Sequence, residues 1–235
     1  MALPLLNTPE FETTIPSNQQ QIRFRPFLVK EEKILFMALQ GNDPGEMTNA
    51  VKNILSACIL DNNVDIEKLS ISDVEYLFLK LRGKSVGEHV ELNVRHTSGD
   101  CSHVSSVSIN LDDINVIFPP QYTDRIQLTE EVGIQLMQPG INQAYTIDGD
   151  EDEFSKVMHV ISECVVCIYD QENVYENFTK EEVVQFIENL NQEQFNKLKD
   201  FFANSPKLSY TIEWTCDKCS EHDSIEIKGL TSFFT

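Results

Sequence analysis

The spacing of apolar positions changes twice along this chain, and the changes divide it into blocks. From Lys30 to Leu39 the residues Ile34, Leu35, Ala38 and Leu39 fall on one side of a helix. The run Gly41-Asn-Asp-Pro-Gly45 breaks that pattern. A second helix is predicted from about Glu46 to Leu60, because Val51, Ile54, Leu55, Cys58 and Ile59 keep a 3.6-residue period. A third begins at Ser72, whose spacing to Glu75 is that of a capping box, and carries Val74, Leu77, Phe78 and Leu81 as far as Gly83. Residues 22–88 therefore read as a helical region, a small bundle. Residues 1–21 are polar or proline-bearing and read as an extended arm. Between them Ile22-Arg-Phe-Arg-Pro-Phe-Leu28 alternates briefly, with Pro26 marking an edge or a strand end.

The period then shortens to two. Glu91–Arg95 and Val104–Leu111 read as strands joined by a turn over Thr97–His103 that contains Gly99, which makes a hairpin. Residues 112–150 mix short apolar runs with Pro119, Pro120, Pro139 and Gly140, predicting further strands and turns. Phe154–Tyr169 reads as helical. Thr179 and Glu182 form a capping box for the next helix, whose period runs on through Phe195, Leu198, Phe201 and Phe202 to Ser205-Pro206. Leu208–Trp214 and Ser224–Lys228 make a second strand pair. The expected fold class is α+β: an N-terminal helical bundle, and C-terminal helices around one small sheet formed by the two hairpins. Residues 89–235 form a hairpin-helices-hairpin region expected to pack with 22–88 as one compact unit.

Composition adds limits rather than an identity. The chain has 235 residues with 41% hydrophobic and 24% charged, which suits a globular rather than a disordered protein. No run of 18 apolar residues exists, so no membrane span is expected. The first seven residues lack the basic and apolar regions of a signal peptide, so an intracellular origin is expected. Net charge is −20, which opposes direct nucleic-acid binding and suits a basic partner surface. The excess is uneven: 13 acidic residues face two lysines between Asp148 and Gln194, whereas residues 1–40 balance four acids with Arg23, Arg25, Lys30 and Lys33.

Six cysteines are too few for a disulfide scaffold of this length, so reduced thiols are expected. Cys216-x2-Cys219 lies in a turn between two strand-like runs, and that spacing sets two thiolates on one side of a tight turn, as a tetrahedral zinc site needs. The first hairpin can complete the set with Cys101 and His103. His96, at the other base of that turn, and His222, beside the cysteine turn, are alternatives for the fourth ligand. Such a zinc-ribbon-like site would join the two hairpins, and its binding energy would be folding energy. Unrelated reduced side chains, or a Cys216–Cys219 disulfide, are the competing readings. Cys164-Val-Val-Cys167 has the same spacing but lies in the apolar helical run, where both thiols read as small core hydrophobes.

Catalytic signatures are absent. There is no Walker-type loop, no His-Glu-x-x-His helix and no dinucleotide fingerprint, and Gly83-Lys-Ser85 lacks the preceding glycine of a phosphate loop. The acidic run Asp148–Glu153 lacks the alternation of a calcium loop and reads as solvated, and His159 stands alone among apolar residues. Four protein ligands would leave zinc no open position for water. No enzymatic activity is expected.

Several segments carry a resemblance: Ile22-Arg-Phe-Arg-Pro-Phe-Leu-Val-Lys-Glu-Glu-Lys33, Asp73-Val-Glu-Tyr-Leu-Phe-Leu-Lys-Leu-Arg82 with Lys84-Ser-Val-Gly-Glu88, Phe201-Phe-Ala-Asn-Ser-Pro206 ahead of the cysteine turn, and the closing Gly229-Leu-Thr-Ser-Phe-Phe234. Together they resemble the baseplate protein family of T-even-type contractile-tailed bacteriophages, which includes a hub subunit and a hub-assembly factor. Family members are similar in carrying a cysteine turn in the first hairpin. Here Cys101 matches its second cysteine, and the first is missing or replaced by His96.

The resemblance implies a non-catalytic component of the baseplate hub. It would be made in the host bacterial cytoplasm and carried in the virion tail baseplate, contacting other hub and tail proteins during assembly. Arg23, Phe24, Arg25 and Phe27 are candidates for partner binding, since alternating arginine and phenylalanine offers charge with apolar anchorage; internal packing of the same segment is the alternative. A transient assembly factor absent from the mature particle, and a zinc-dependent regulatory or enzymatic domain, are the competing functions.

Overall fold

The computed structural model describes residues 6–41, 44–97, 101–145 and 153–228. Gly99, residues 148–152 of the acidic run, and the closing Gly229–Phe234 segment lie outside them. In chain order the elements are β1 (Phe11–Thr14), β2 (Gln21–Phe24), α1 (Val29–Gly41), α2 (Pro44–Cys58), α3 (Ile71–Val86), β3 (His89–Arg95), β4 (Val104–Asn110), β5 (Asn115–Ile117), β6 (Arg125–Gln127), β7 (Gly133–Leu136), α4 (Ile141–Tyr145), α5 (Glu153–Glu163), β8 (Val165–Tyr169), β9 (Val174–Tyr175), α6 (Lys180–Glu188), α7 (Gln192–Ala203), β10 (Lys207–Thr215) and β11 (His222–Lys228). Helices and small sheets are mixed, as the α+β expectation requires.

The chain divides into two units. The first holds residues 1–66, 72–117 and 207–235, and the second holds 67–71 and 118–206. This partition follows a different line from the 22–88 and 89–235 blocks, because the closing hairpin returns to the company of the first one.

In the first unit, part of the 1–21 arm is a strand. β1 pairs antiparallel with β2, and the connecting turn is closed by the Ile15 N–H donating to the Gln20 carbonyl. Gln19 takes a φ of 58° there. Ile15, Ile22 and Phe24 are buried, as are Ile54, Leu55 and Cys58 of α2 and Leu77, Phe78 and Leu81 of α3. α3 starts one residue earlier than the Ser72 cap predicts and runs past Gly83. The N–H of its first residue, Ile71, which belongs with Pro139 to the second unit, donates to the Pro139 carbonyl there instead of to a side-chain cap. Ser72 therefore sits inside the first turn, buried. The helix ends three residues after Gly83, at Val86, because Gly87 follows with φ at +144°.

The two hairpins do not share a sheet, which corrects the single-sheet expectation. β3 and β4 form a two-stranded sheet, while β10 lies between β11 and β5 in a three-stranded one. Leu92, Val94 and Ile109 of the first hairpin and Leu208, Ile212 and Trp214 of the second enter one apolar cluster, together with Leu79, Leu111, Ile114 and Val116. The hairpins thus meet through side chains rather than through a backbone ladder. With each hairpin burying one face, alternation along both strands satisfies the same core.

In the second unit, β6, β7, β8 and β9 form a four-stranded antiparallel sheet in that order. Its core contains Ile134 and Leu136 with Met158 and Ile161 of α5, Val183 and Ile187 of α6, and Leu198 and Phe201 of α7. The run Phe154–Tyr169 is a helix only to Glu163 and then becomes β8, another correction. Val165, Val166 and Ile168 are β-branched, and β7 and β9 offer ladders on both sides. The period through Phe202 is likewise broken in two. α6 carries the Thr179–Glu182 capping box, and α7 opens with its own, Asn191 with Gln194.

Candidate metal centre

The register of β3 and β4 puts His96 opposite His103, one step beyond the last ladder pair, with the His96 N–H donating 2.8 Å to the His103 carbonyl. In the second hairpin the Cys216 N–H donates to the Glu221 carbonyl and the Ser220 N–H donates back to the Cys216 carbonyl, each at 2.8 Å. Ser220 closes this tight turn with a φ of 61°, a left-handed conformation unusual for a residue other than glycine. The turn aims backbone donors at sulfur: the Cys219 and Lys218 N–H groups bond to Cys216, and the Glu221 N–H bonds to Cys219.

Four ligand atoms converge here. His96, Cys101, Cys216 and Cys219 each present one donor, all within 4.8 Å of one another. Cys101 Sγ lies 3.9 Å from Cys216 Sγ, and Cys219 Sγ lies 3.6 Å from His96 Nδ1. All six cysteines are free, so the proposed Cys216–Cys219 disulfide is not formed. A tetrahedral zinc with Zn–S near 2.3 Å and Zn–N near 2.05 Å requires S···S edges of about 3.8 Å and N···S edges of about 3.6 Å. The donor set and both of these edges fit such an ion.

Of the three histidines in contention, the structure brings His96 into this group. The His103 ring is outside it, and His222 is exposed with Nδ1 3.1 Å from the Thr215 hydroxyl. The His96 side chain is fully buried, and Nε2 has no hydrogen-bond partner. Asp223 Oδ2 stands 3.7 Å from that nitrogen and Glu221 Oε2 3.9 Å. Asp223 is fixed in place by the Thr97 N–H at 3.0 Å, which also holds its carboxyl below the usual range. A carboxylate behind the distal nitrogen of a ligating imidazole is the ordinary support of a metal site. Sequence reasoning missed Asp223 and Glu221. The only available signal was their place flanking His222 at the start of a strand.

Electrostatics agree with the geometry. The Cys219 N–H, and after it the Lys218 N–H, hold the Cys216 thiol below its ordinary value. Cys219 accepts from the Glu221 N–H, yet burial and the neighbouring Cys216 and Cys101 sulfurs push it up. One thiolate is favoured here, and further ones need a cation among them.

The remaining sequence candidates have other surroundings. Cys164 and Cys167 are both buried in the second unit, and burial raises the Cys164 thiol to about 12. Lys84 is paired with Glu88 and Asp112, and the Ser85 hydroxyl donates to the Leu81 carbonyl, so the Gly83-Lys-Ser85 run is spent inside α3. Arg23 is exposed and pairs with Asp61 and Glu10. Phe24 is buried, with its ring 5.9 Å from that of Phe11. Arg25 donates to Glu31 and to the Ala57 carbonyl, while Phe27 is half-buried. A cleft of about 420 Å³ in the second unit is lined by residues including Pro119, Tyr122, Lys197, Asp200 and Phe201, and offers no serine, cysteine or histidine.

Comparison with known proteins gives one decisive match. The family model described as T4 bacteriophage base plate protein covers residues 8–235. The chain belongs to that family. Membership gives it a structural role in a phage tail baseplate, among other baseplate proteins, and fits a non-enzymatic part. No curated protein and no solved structure matches it. Among the described residues no helix is long and apolar enough to cross a membrane. The T-even-type resemblance read from Ile22–Lys33 and Asp73–Arg82 is therefore the right one.

Proposed function

We propose that this baseplate protein is a non-catalytic component of the baseplate hub, stapled by one structural zinc on His96, Cys101, Cys216 and Cys219. The observation that carries the staple is the convergence, within 4.8 Å of one another, of four protein donors drawn from two hairpins. A site closed by four side chains leaves no position for substrate or water. Holding the hairpins together is then its whole task, and the ion's binding energy is added to the stability of the first unit. The hub assignment rests on the family and on the segments that resemble hub proteins. Synthesis in the host cytoplasm, where thiols stay reduced, suits three cysteine ligands.

Two measurements test the reading. Elemental analysis of protein purified without chelator should return about one zinc per chain; a value near zero with all six thiols titratable in the folded protein ends the staple. Mass spectrometry of purified particles should find the chain at a fixed ratio to other hub proteins. Its absence from particles, with strong expression in the lysate, would instead establish the transient assembly factor.

A further inference from the structure

Three of the six cysteines, Cys101, Cys216 and Cys219, meet in one group. Their access to solvent is graded: Cys216 is buried, Cys101 half-buried and Cys219 exposed. Cys101 comes from the turn of the first hairpin, and Cys216 follows directly on β10 in the second. Their sulfurs lie 3.9 Å apart although 115 positions separate them along the chain. A disulfide needs a sulfur separation near 2.05 Å, so an approach of about 2 Å converts this contact into a bond. Neither residue lies within a strand, so the shift falls on turn backbone and two side chains.

We propose that Cys101 and Cys216 form a reversible disulfide when the site meets a hydroperoxide, releasing the zinc and taking over its task of joining the two hairpins. The proposal rests on the zinc reading for the ion that is displaced, and on the sulfur contact for the bond that replaces it. The need for such an exchange follows from where a baseplate protein works. On the proposed reading the chain is made in a reducing cytoplasm, and it is then carried by a particle into a medium with no thiol reductant.

Zinc ligation keeps thiols deprotonated, and the thiolate is the form that reacts. The Cys101 sulfur, reachable from solvent, attacks one peroxide oxygen. The O–O bond breaks, hydroxide leaves and a sulfenic acid remains. The Cys216 thiolate then attacks that sulfur: the S–S bond forms and the S–O bond breaks with loss of a second hydroxide. Two electrons pass from the sulfur pair to the peroxide, and two protons turn both hydroxides into water. His96 and Cys219 are then half of a tetrahedral donor set, too few to retain the ion. A bond across 115 positions restrains the unfolded chain far more than one within the Cys216-x2-Cys219 turn, and it alone links the hairpins. The other thiols serve as internal controls. Cys58, Cys164 and Cys167 are buried, and burial pushes the first two up to about 11 and about 12.

The test treats the full zinc-loaded chain with a small excess of hydrogen peroxide, a chromogenic chelator reading zinc and peptide mapping reading the bond. About one zinc should be released for each Cys101–Cys216 disulfide formed. Dithiothreitol with added zinc should reverse both changes. Cys219→Ser removes a zinc ligand but keeps both bonding sulfurs, so it should hold zinc more weakly and still form the same disulfide. Cys101→Ser should form no bond between the hairpins, and after peroxide it should melt well below the oxidised wild type. A zinc-loaded chain that gives a Cys216–Cys219 bond, or sulfinic acids with no disulfide, overturns the proposal and leaves the staple standing. A Cys219→Ser chain that yields no disulfide overturns it equally. A reduced chain that holds no zinc ends the staple and this exchange together, and that result is read before any oxidant is added.

Discussion

The buried His96 imidazole has sulfur on one side and a carboxylate on the other, so its loss and that of His103 should read differently. His96→Ala should abolish stoichiometric zinc and lower the melting temperature, while His103→Ala keeps both, as elemental analysis and calorimetry would show. Cys164→Ser should cost about 1–3 kcal/mol without changing zinc content, because it leaves a hydroxyl in an apolar core. Spacing made Cys216 and Cys219 visible, and Cys101 stood out by its place in the turn of the first hairpin. The sequence could not choose the histidine, because positions 96 and 103 are cross-strand partners and alternation puts both on the same face as Val94 and Ser105. A second residue-scale test lies at Glu31. Burial by itself would raise this carboxyl, but the Arg25 guanidinium, the Leu28 N–H and Lys30 together hold it below the ordinary value of 4.5. Its folded value is the lower one, so its stabilisation is complete above about 4.5 and is lost as pH falls through the depressed value. Glu31→Gln should cost about 3 kcal/mol near neutrality by leaving Arg25 without its charge partner. Melting curves of the two proteins should converge in acid; a gap that stays constant with pH would refute the pairing as its cause.

At the scale of elements, β7 and β8 depend on a glycine. A Cβ at Gly133 would lie 2.3 Å from the end of the Tyr169 ring, which crosses it from the neighbouring strand. The Arg125 guanidinium sits 5.9 Å from the same ring. Gly133→Ala should push the ring aside and cost about 1–3 kcal/mol in chemical denaturation. Adding Tyr169→Ala should make the alanine far less harmful, a non-additivity that a double-mutant cycle reads directly. Helices were the more legible elements. The Thr179–Glu182 box marks α6 because capping is local chemistry written in four residues. The Asn191–Gln194 box was passed over because the apolar period continues across it. The strand β8 was hidden for a different reason: a run of five apolar residues fits a helix or a doubly paired strand, and only its neighbours decide. All four hairpin strands, by contrast, follow from alternation to within two residues of their ends.

At the scale of the whole molecule, the four residues of the proposed zinc site belong to one unit. Removing zinc with a chelator under reducing conditions should raise hydrogen exchange across β3, β4, β10 and β11 and leave β7 and β8 protected. Equal loss in both units would show that the staple supports more than its own hairpins. The division itself was not legible, because nothing in the sequence states that Lys207–Thr215 pairs with Asn115–Ile117 rather than with a nearer strand. That pairing makes the first unit discontinuous, with the second inserted into it, and so orders events on the ribosome. Synthesis runs N-terminal first at about 5–20 residues per second, and Cys219 follows His96 by 123 positions, a delay of roughly 6–25 s. All of residues 118–206 is made in that interval, so the inserted unit has its full sequence before its host does. His96 and Cys101, half of the proposed zinc ligands, are made before the other half exists. Newly made chains halted between these points should therefore bind zinc weakly, and the last hairpin to emerge is the one that locks the first to be made.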